Sequence, residues 1–287
     1  MKRMRLSERN QRNLKRFLHN KLAVIGLVVV MIMLIGCLIV PLITPYGADE
    51  INFSAKVEPP SAAHPFGTDK LGRDVFTRAW TGGRTSILIA VSSALASAAL
   101  GMVLGSISGY FGGKVDAVLL RISEVFSTFP QLVLVLVFIS IVGAGLWNVV
   151  LVFVMTGWMV IYRIVRGEFL VLREETFVKA CETFGMRKSS IMLREILPNI
   201  LTPVVVASTA DLAGYILQEA GLSFLGLGVP ITTPSWGNIL NAARSVEVVI
   251  NYWWMWLIPG GMIFLFVLAI NFFGDGLRDV VDVKKQS

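Results

Sequence analysis

Residues 67–74 read Gly-Thr-Asp-Lys-Leu-Gly-Arg-Asp, which has the glycine spacing of a loop that cradles phosphate. That chemistry needs Lys and then Ser or Thr directly after the second glycine, to reach the phosphates and their Mg2+. Arg73 and Asp74 stand there instead. No His-Glu-x-x-His pair for zinc and no Gly-x-Ser-x-Gly elbow for a nucleophilic serine occurs anywhere in the sequence. The two histidines, His19 and His64, and the two cysteines, Cys37 and Cys181, form no metal-ligand cluster and no plausible disulfide. The chain therefore reads as a protein that is not an enzyme and binds no metal or cofactor of its own.

Two acids stand out because of their surroundings. Asp211 lies inside a long apolar stretch, where an ionisable group is expensive and by default points to a function. It could neutralise a cationic group passing along a pathway, or pair with an Arg or a helix end of a neighbouring subunit. Glu219 follows at the edge of the same stretch, just before Leu222–Gly228, a glycine-punctuated segment that contains Ser223 and Phe224. Broken backbone at membrane depth is tolerated where it lines protein or a water-filled cavity. The segment thus reads either as pathway lining or as a cap on a helix bundle, with Glu219 orienting its turn.

The third cluster is basic. Seven cations (Arg163, Arg166, Arg173, Lys179, Arg187, Lys188 and Arg194) fall between two long apolar runs. Each would cost about 2.5–3.5 kcal/mol at the centre of a bilayer, so the island projects into water. Phe177, Ala180 or Cys181, and Phe184 recur at helical spacing. Gly185 suits a left-handed helix end, and Ser189 or Ser190 could cap the next helix, which runs through Leu197-Pro198. A helix–Gly–helix corner exposing Phe184 would fit a partner's groove. An amphipathic loop lying on the bilayer is the competing reading.

The elements that position these residues are apolar helices. The chain has 287 residues, 55% hydrophobic and 16% charged, with a mean hydropathy of +0.70. Charge-free runs cover Leu22–Thr44, Thr85–Gly113, Val125–Tyr162 and Val248–Gly274, and a crossing needs about 20 residues. Spans are expected at 22–42, 85–111, 124–142, 148–165, 199–218 and 252–273. Pro130 should kink the third of them, and Gly112, Gly113, Lys114 and Asp116 should turn before it. Gly101, Gly105 and Gly109 recur every four residues, giving the second span one smooth face for close packing.

The net charge of +7 raises nucleic acid as a partner, but the placement of the cations excludes it. With six spans, 20 of the 26 Lys and Arg residues fall on one side and six on the other. The basic side is the cytoplasm, so both termini lie inside. Six of seven tryptophans fall at or near the expected external boundaries, where amphipathic rings settle.

The organisation that follows is a cytoplasmic segment at 1–21 carrying an amphipathic helix (Leu14, Phe17, Leu18, Leu22), a first span at 22–42 and an external loop at 43–84. A core at 85–275 follows, with the charged loop at 166–198, and then a cytoplasmic tail at 276–287. The fold class is all-α, a polytopic membrane protein. A passive channel remains an alternative, although the spans offer almost no polar rings.

The order of these motifs resembles ATP-binding-cassette importer permeases. Phe177 to Gly185, followed by Glu195-Ile196-Leu197-Pro198-Asn199, is similar to the loop by which that family docks on its ATPase. Lys179 replaces the family's Glu, Cys181 replaces its second Ala, and Glu195 stands where the peptide branch often carries His. His64–Arg78, including Gly67, Asp69, Gly72, Arg73 and Asp74, resembles the peptide and nickel branch. So do Glu219–Gly228 with Pro234-Ser235-Trp236-Gly237, and Gly274–Asp279, after which the family's Asp-Pro becomes Asp282-Val283. The match runs through nearly the whole chain and is similar to the second (C-type) permease of oligopeptide and dipeptide importers.

The resemblance implies a type-1 permease fold of six spans in a bacterial or archaeal inner membrane. It implies a homologous permease as partner in a heterodimer, two cytoplasmic ATPases that carry the ATP and Mg, and an external binding protein. The docking residues it implies are Phe177, Lys179, Ala180, Cys181, Glu182, Phe184, Gly185, Met186, Ser190, Leu197 and Pro198. Asp211, Glu219, Ser223 and Phe224 are pathway candidates. The implied cargo is a di- or oligopeptide, or alternatively nickel or a metal chelate.

Overall fold

The computed structural model describes residues 17–282. Five of its helices are long and apolar enough to cross a membrane, or six if a sharply bent pair counts as one span. In chain order these are α1 (Lys21–Ile43), α2 (Val75–Phe111), α3 (Gly113–Ser127) bent onto α4 (Gln131–Val142), α5 (Leu146–Leu172), α7 (Lys188–Leu225) and α10 (Trp254–Asp282). The short α6 (Thr176–Thr183) joins α5 to α7, while α8 (Trp236–Leu240) and α9 (Val246–Asn251) lie between α7 and α10.

Several expected boundaries move, each for a local reason. Helix α2 starts ten residues early because Asp74 caps it: its Oδ2 accepts from the Thr77 N–H and hydroxyl, both at 2.7 Å. At 37 residues it is about 55 Å long and reaches well past a hydrocarbon core. The expected third span is not a kinked helix but a break with a 92° bend. Pro130 lacks an N–H and disfavours helix at the residue before it, so α3 stops at Ser127 and α4 begins at Gln131. Only Gly112 forms the turn foreseen at 112–116, since Gly113 already opens α3. Helix α5 runs on to Leu172 and α10 to Asp282, so much of the expected loop and tail is helical. Helix α7 continues through Leu222–Leu225 and ends at Gly226, φ +81°.

The amphipathic segment at 1–21 lies largely outside the described residues. Phe17 packs edge-on against Phe273 at 5.8 Å, and Asn20 both caps α1 and donates to Asp279 at 2.8 Å. Helices α1 and α10 are therefore antiparallel neighbours. Helices α1 and α2 form an antiparallel hairpin, with the Trp80 ring filling the space beside Gly36. It follows that the start of α1, the end of α2, the α6 corner and the end of α10 share one end of the bundle.

Pro41 sits inside α1 and cannot donate to the carbonyl four residues back, at Cys37. In hydrocarbon such an orphan must be satisfied from elsewhere. Arg84 of α2 does this, donating Nε to Cys37 O and Nη2 to Leu38 O, the latter at 2.5 Å. Replacing Arg84 with Met should cost about 1–3 kcal/mol and lower the thermal midpoint of the purified protein. The cost should shrink when Pro41→Ala restores the helix hydrogen bond. Thermal midpoints of the two single variants and the double variant check this, and equal costs in both backgrounds would refute it.

Candidate functional site

The corner between α5 and α7 is held by one buried side chain and one glycine. Val178 is completely buried in an apolar cluster with Tyr110, Phe169, Ile191, Met192 and Ile196. At the far end of α6 the Gly185 N–H bonds to Glu182 O and the Met186 N–H to Cys181 O, at 2.9 and 3.1 Å. This paired pattern needs a left-handed residue, and Gly185 adopts φ +73°.

The fixed ends aim α6's other face outward: Phe184 is 86% exposed and Phe177 40%. Ala180 and Cys181 are half-buried, while Lys179, Glu182 and Met186 are exposed. The expected apolar stripe through Phe177, Ala180 and Phe184 is therefore not the anchoring face. Val178 anchors the helix, flanked by Cys181.

Ser189 and Ser190 do not cap α7. The N-cap is Arg187, with no side-chain bond, and Ser190 lies within the first turn. A wide π turn follows at Ile191–Ile196, where the Leu197 N–H reaches back to Met192 O. Pro198, which lacks a donor, directly follows that turn. Leu197 packs on the same buried cluster, while Pro198 is exposed.

Polar contacts tie the corner to its neighbours. Tyr110 at the end of α2 donates to Glu182 Oε1 at 3.0 Å, and Lys179 pairs with Glu174 at 3.3 Å. Arg173 donates to Gly109 O and Tyr110 O. Between them lies a cleft of about 230 Å³, lined by Phe111, Glu174, Lys179 and Lys188 among others.

Just beyond, Arg166 grips Asp116 with two bonds, at 2.5 and 2.7 Å. Ser108 also donates to Asp116 and lies 2.9 Å from the Tyr162 hydroxyl. This clamp joins α2, α3 and α5, and no local pattern could have revealed it, because its partners are 50 residues apart.

The external loop motif builds a turn rather than a cradle for an anion. Asp69 Oδ1 accepts from the N–H groups of Leu71 and Arg73, at 2.8 and 3.0 Å, and its Oδ2 holds Arg73 Nε at 2.7 Å. Backbone donors that could face a phosphate are thus already engaged by a carboxylate. Gly67 and Gly72 have positive φ, and a Cβ on Gly72 would run into the Asn52 carbonyl. Asp74 closes the loop by holding His64 Nδ1 at 2.8 Å.

The four pathway candidates separate. Glu219 and Ser223 are completely buried and belong to one network: Ser86 and Ser223 each donate to Glu219 at 2.7 Å. Ser86 in turn accepts from the Trp236 N–H at 3.2 Å. Gly237 packs so closely that a Cβ would lie 2.7 Å from Ala220 Cα. Glu219 thus locks α8 onto α2 and α7. Phe224 lies on another face of α7, lining an apolar groove of about 570 Å³ with Leu217, Gly221, Gly260 and Phe264. Asp211 is half-buried midway along α7, with no charged partner among the described residues.

Residues 101–286 match the family model described as binding-protein-dependent transport system inner membrane component. The chain belongs to that family. Residues 10–60 match the N-terminal transmembrane domain of oligopeptide transport permease C. A Brucella suis biovar 1 protein named as a peptide permease is 46% identical over 275 residues, 96% of this chain and 91% of its own length. The oligopeptide permease OppC and the dipeptide permease DppC of Bacillus subtilis are each 36% identical across 94% of this chain, and 88% and 84% of their own lengths.

Among solved structures, a chain of the MetNI methionine ABC transporter in an inward-facing conformation aligns with a TM-score of 0.56 at 20% identity. The alignment covers 69% of this chain and 94% of that one. That likeness shows the fold, which is the type-1 importer permease. The protein is accordingly a multi-pass inner-membrane permease subunit of an ATP-binding-cassette importer, with hydrolysis assigned to separate subunits. This replaces the passive-channel alternative. A partner permease, an ATPase and a binding protein come with the family in general.

Asp116 and Arg166 are mostly buried, with side chains 16% and 23% exposed. Asp116→Asn should remove one of the two bonds and the anionic charge from the other, and cost about 1.5–3 kcal/mol. The thermal midpoint of the purified importer should fall by several degrees. An unchanged midpoint would show that the clamp carries no stability.

Proposed function

We propose that this subunit forms half of a pathway for short peptides, in a heterodimer with a homologous permease that rides on two cytoplasmic ATPases. The cargo is delivered by an external binding protein. The relatives described above are named for peptides and dipeptides rather than for nickel, which favours peptide over metal chelate. The termini and the corner face the cytoplasm in this reading, supported by the 20 basic residues of the six-span layout on that side.

The observation that carries the docking role is the aromatic ring of Phe184. It is 86% exposed at the tip of a corner whose backbone is fixed on both sides. An exposed aromatic on a rigid support costs little entropy to bury and suits the centre of an interface. Phe177, Lys179, Glu182 and Met186 form its rim. ATP-driven closure of the ATPases pushes on this corner and switches the cavity between outward-open and inward-open states by rigid-body motion.

An aromatic anchor of this kind is worth about 2 kcal/mol or more, roughly thirtyfold in affinity. Phe184→Ala should leave the subunit in the membrane while uptake falls and ATP hydrolysis no longer responds to loaded binding protein. Gly185→Asp should act likewise, through strain at a left-handed position and an added charge. Transport and ATPase assays on reconstituted importer check both variants, and normal coupled uptake in the two would overturn the docking assignment.

A further inference from the structure

Among the described residues, helix α7 carries a carboxylate with no charged partner and an amide oxygen with no donor. Asp211 is half-buried and has no charged partner among the described residues. A carboxylate in that position within a span is costly and marks a function. The neighbouring Tyr215 does not relieve it, because its hydroxyl donates to Ser97 Oγ at 2.9 Å. Two turns beyond Asp211, Gln218 Oε1 is buried and has no hydrogen-bond partner among the described residues.

Residues seven apart on a helix share a face, and here they lie about 10 Å apart at 1.5 Å per residue. Between them Gly214 contributes no side chain. A Cβ there would meet only Gln218 Nε2, at 3.9 Å, so the Gln218 amide leans back toward Asp211. Open space adjoins Gly221, one turn beyond.

An anion and an amide N–H2 on one face fit a ligand that has a cation at one end and carbonyl groups along its length. We infer that this face of α7 is a subsite for the amino end of a peptide. Asp211 receives the α-ammonium, and Gln218 Nε2 donates to a backbone carbonyl further along. An extended peptide advances about 3.3–3.6 Å per residue, so roughly three residues join the two positions. The α-ammonium is the one cation that every peptide with a free amino end carries whatever its sequence, so an acid here serves a varied cargo. The inference rests on the peptide reading and assigns a site within it.

The test uses the complete importer in nanodiscs without its binding protein, so that recognition by that protein does not enter. Saturation-transfer NMR would compare trialanine with N-acetyl-trialanine on the wild type, Asp211→Asn, Asp211→Glu and Gln218→Ala. The free amine should bind the wild type about tenfold better than the acetylated form, a difference of about 1.4 kcal/mol. Asp211→Asn should erase that preference, Asp211→Glu should keep most of it, and Gln218→Ala should weaken both ligands alike.

A preference that survives Asp211→Asn, or is absent in the wild type, overturns the subsite. Loss of the partner permease on purifying Asp211→Asn also overturns it, because Asp211 would then pair across the subunit interface. Uptake by the wild-type importer, assayed with its binding protein, separates the two levels. If no peptide accumulates at all, the peptide reading falls and the subsite with it. If peptide accumulates but the amine preference is missing, only the subsite falls.

Discussion

The architecture depends on how closely α2 and α5 approach. A Cβ at Gly101 or Gly105 would lie 2.7 or 2.8 Å from the carbonyl oxygens of Trp158 and Tyr162, and one at Gly109 would lie 2.8 Å from that of Arg166. Only glycine leaves room for backbone against backbone. In a bilayer, where lipid tails are as apolar as leucine, such tight contact is a main source of helix association. The same three glycines bring Ser108 and Tyr110 to the positions where they meet Asp116, Tyr162 and Glu182. The apolar seam and the polar clamp are consequences of one spacing.

From that seam the corner inherits its rigidity. Phe169 is buried one turn before α5 ends, and it packs with Val178, Ile191 and Ile196, so α6 cannot pivot without opening the cluster. Tyr110 holds α6 from a second direction through Glu182, and Arg173 caps the end of α2 from below. Phe184 is exposed because everything around it is fixed. The exposure follows from packing and not from a loose loop.

Much of this was legible in the residues. Runs without charge located the spans, the four-residue glycine repeat located the seam, and Gly185 located the end of α6. Cation counts suggested which end is which. What the sequence hid were pairings across long separations and boundaries set by a single side chain. Asp116 looked like a turn residue because its partner Arg166 lies 50 positions away. Asp74 moved the start of α2 by capping it, and Pro130 broke a span where a kink was expected. Val178 carries no signal beside the larger Phe177 and Phe184, because size does not say which face of a short helix is covered. Arg84 closes the stretch expected as an external loop, and only the carbonyl left by Pro41 gives it a role in α2.

One element connects the corner to the membrane interior. Helix α7 begins beside the corner at Lys188 and continues to Leu225, passing Asp211 about 35 Å along its axis. A straight helix of that length moves as a lever, so displacing its first turn displaces Asp211. Two features modify the lever. The π turn at Ile191–Ile196 and Pro203 each interrupt the regular bonding, and such places are where helices bend. Above them, the Glu219 network fixes the far end of α7 to α2 and α8 through bonds of 2.7 Å. A push at the corner is therefore resisted at Glu219 and taken up between Ile191 and Pro203. The segment carrying Asp211 and Gln218 lies between those compliant turns and the fixed end.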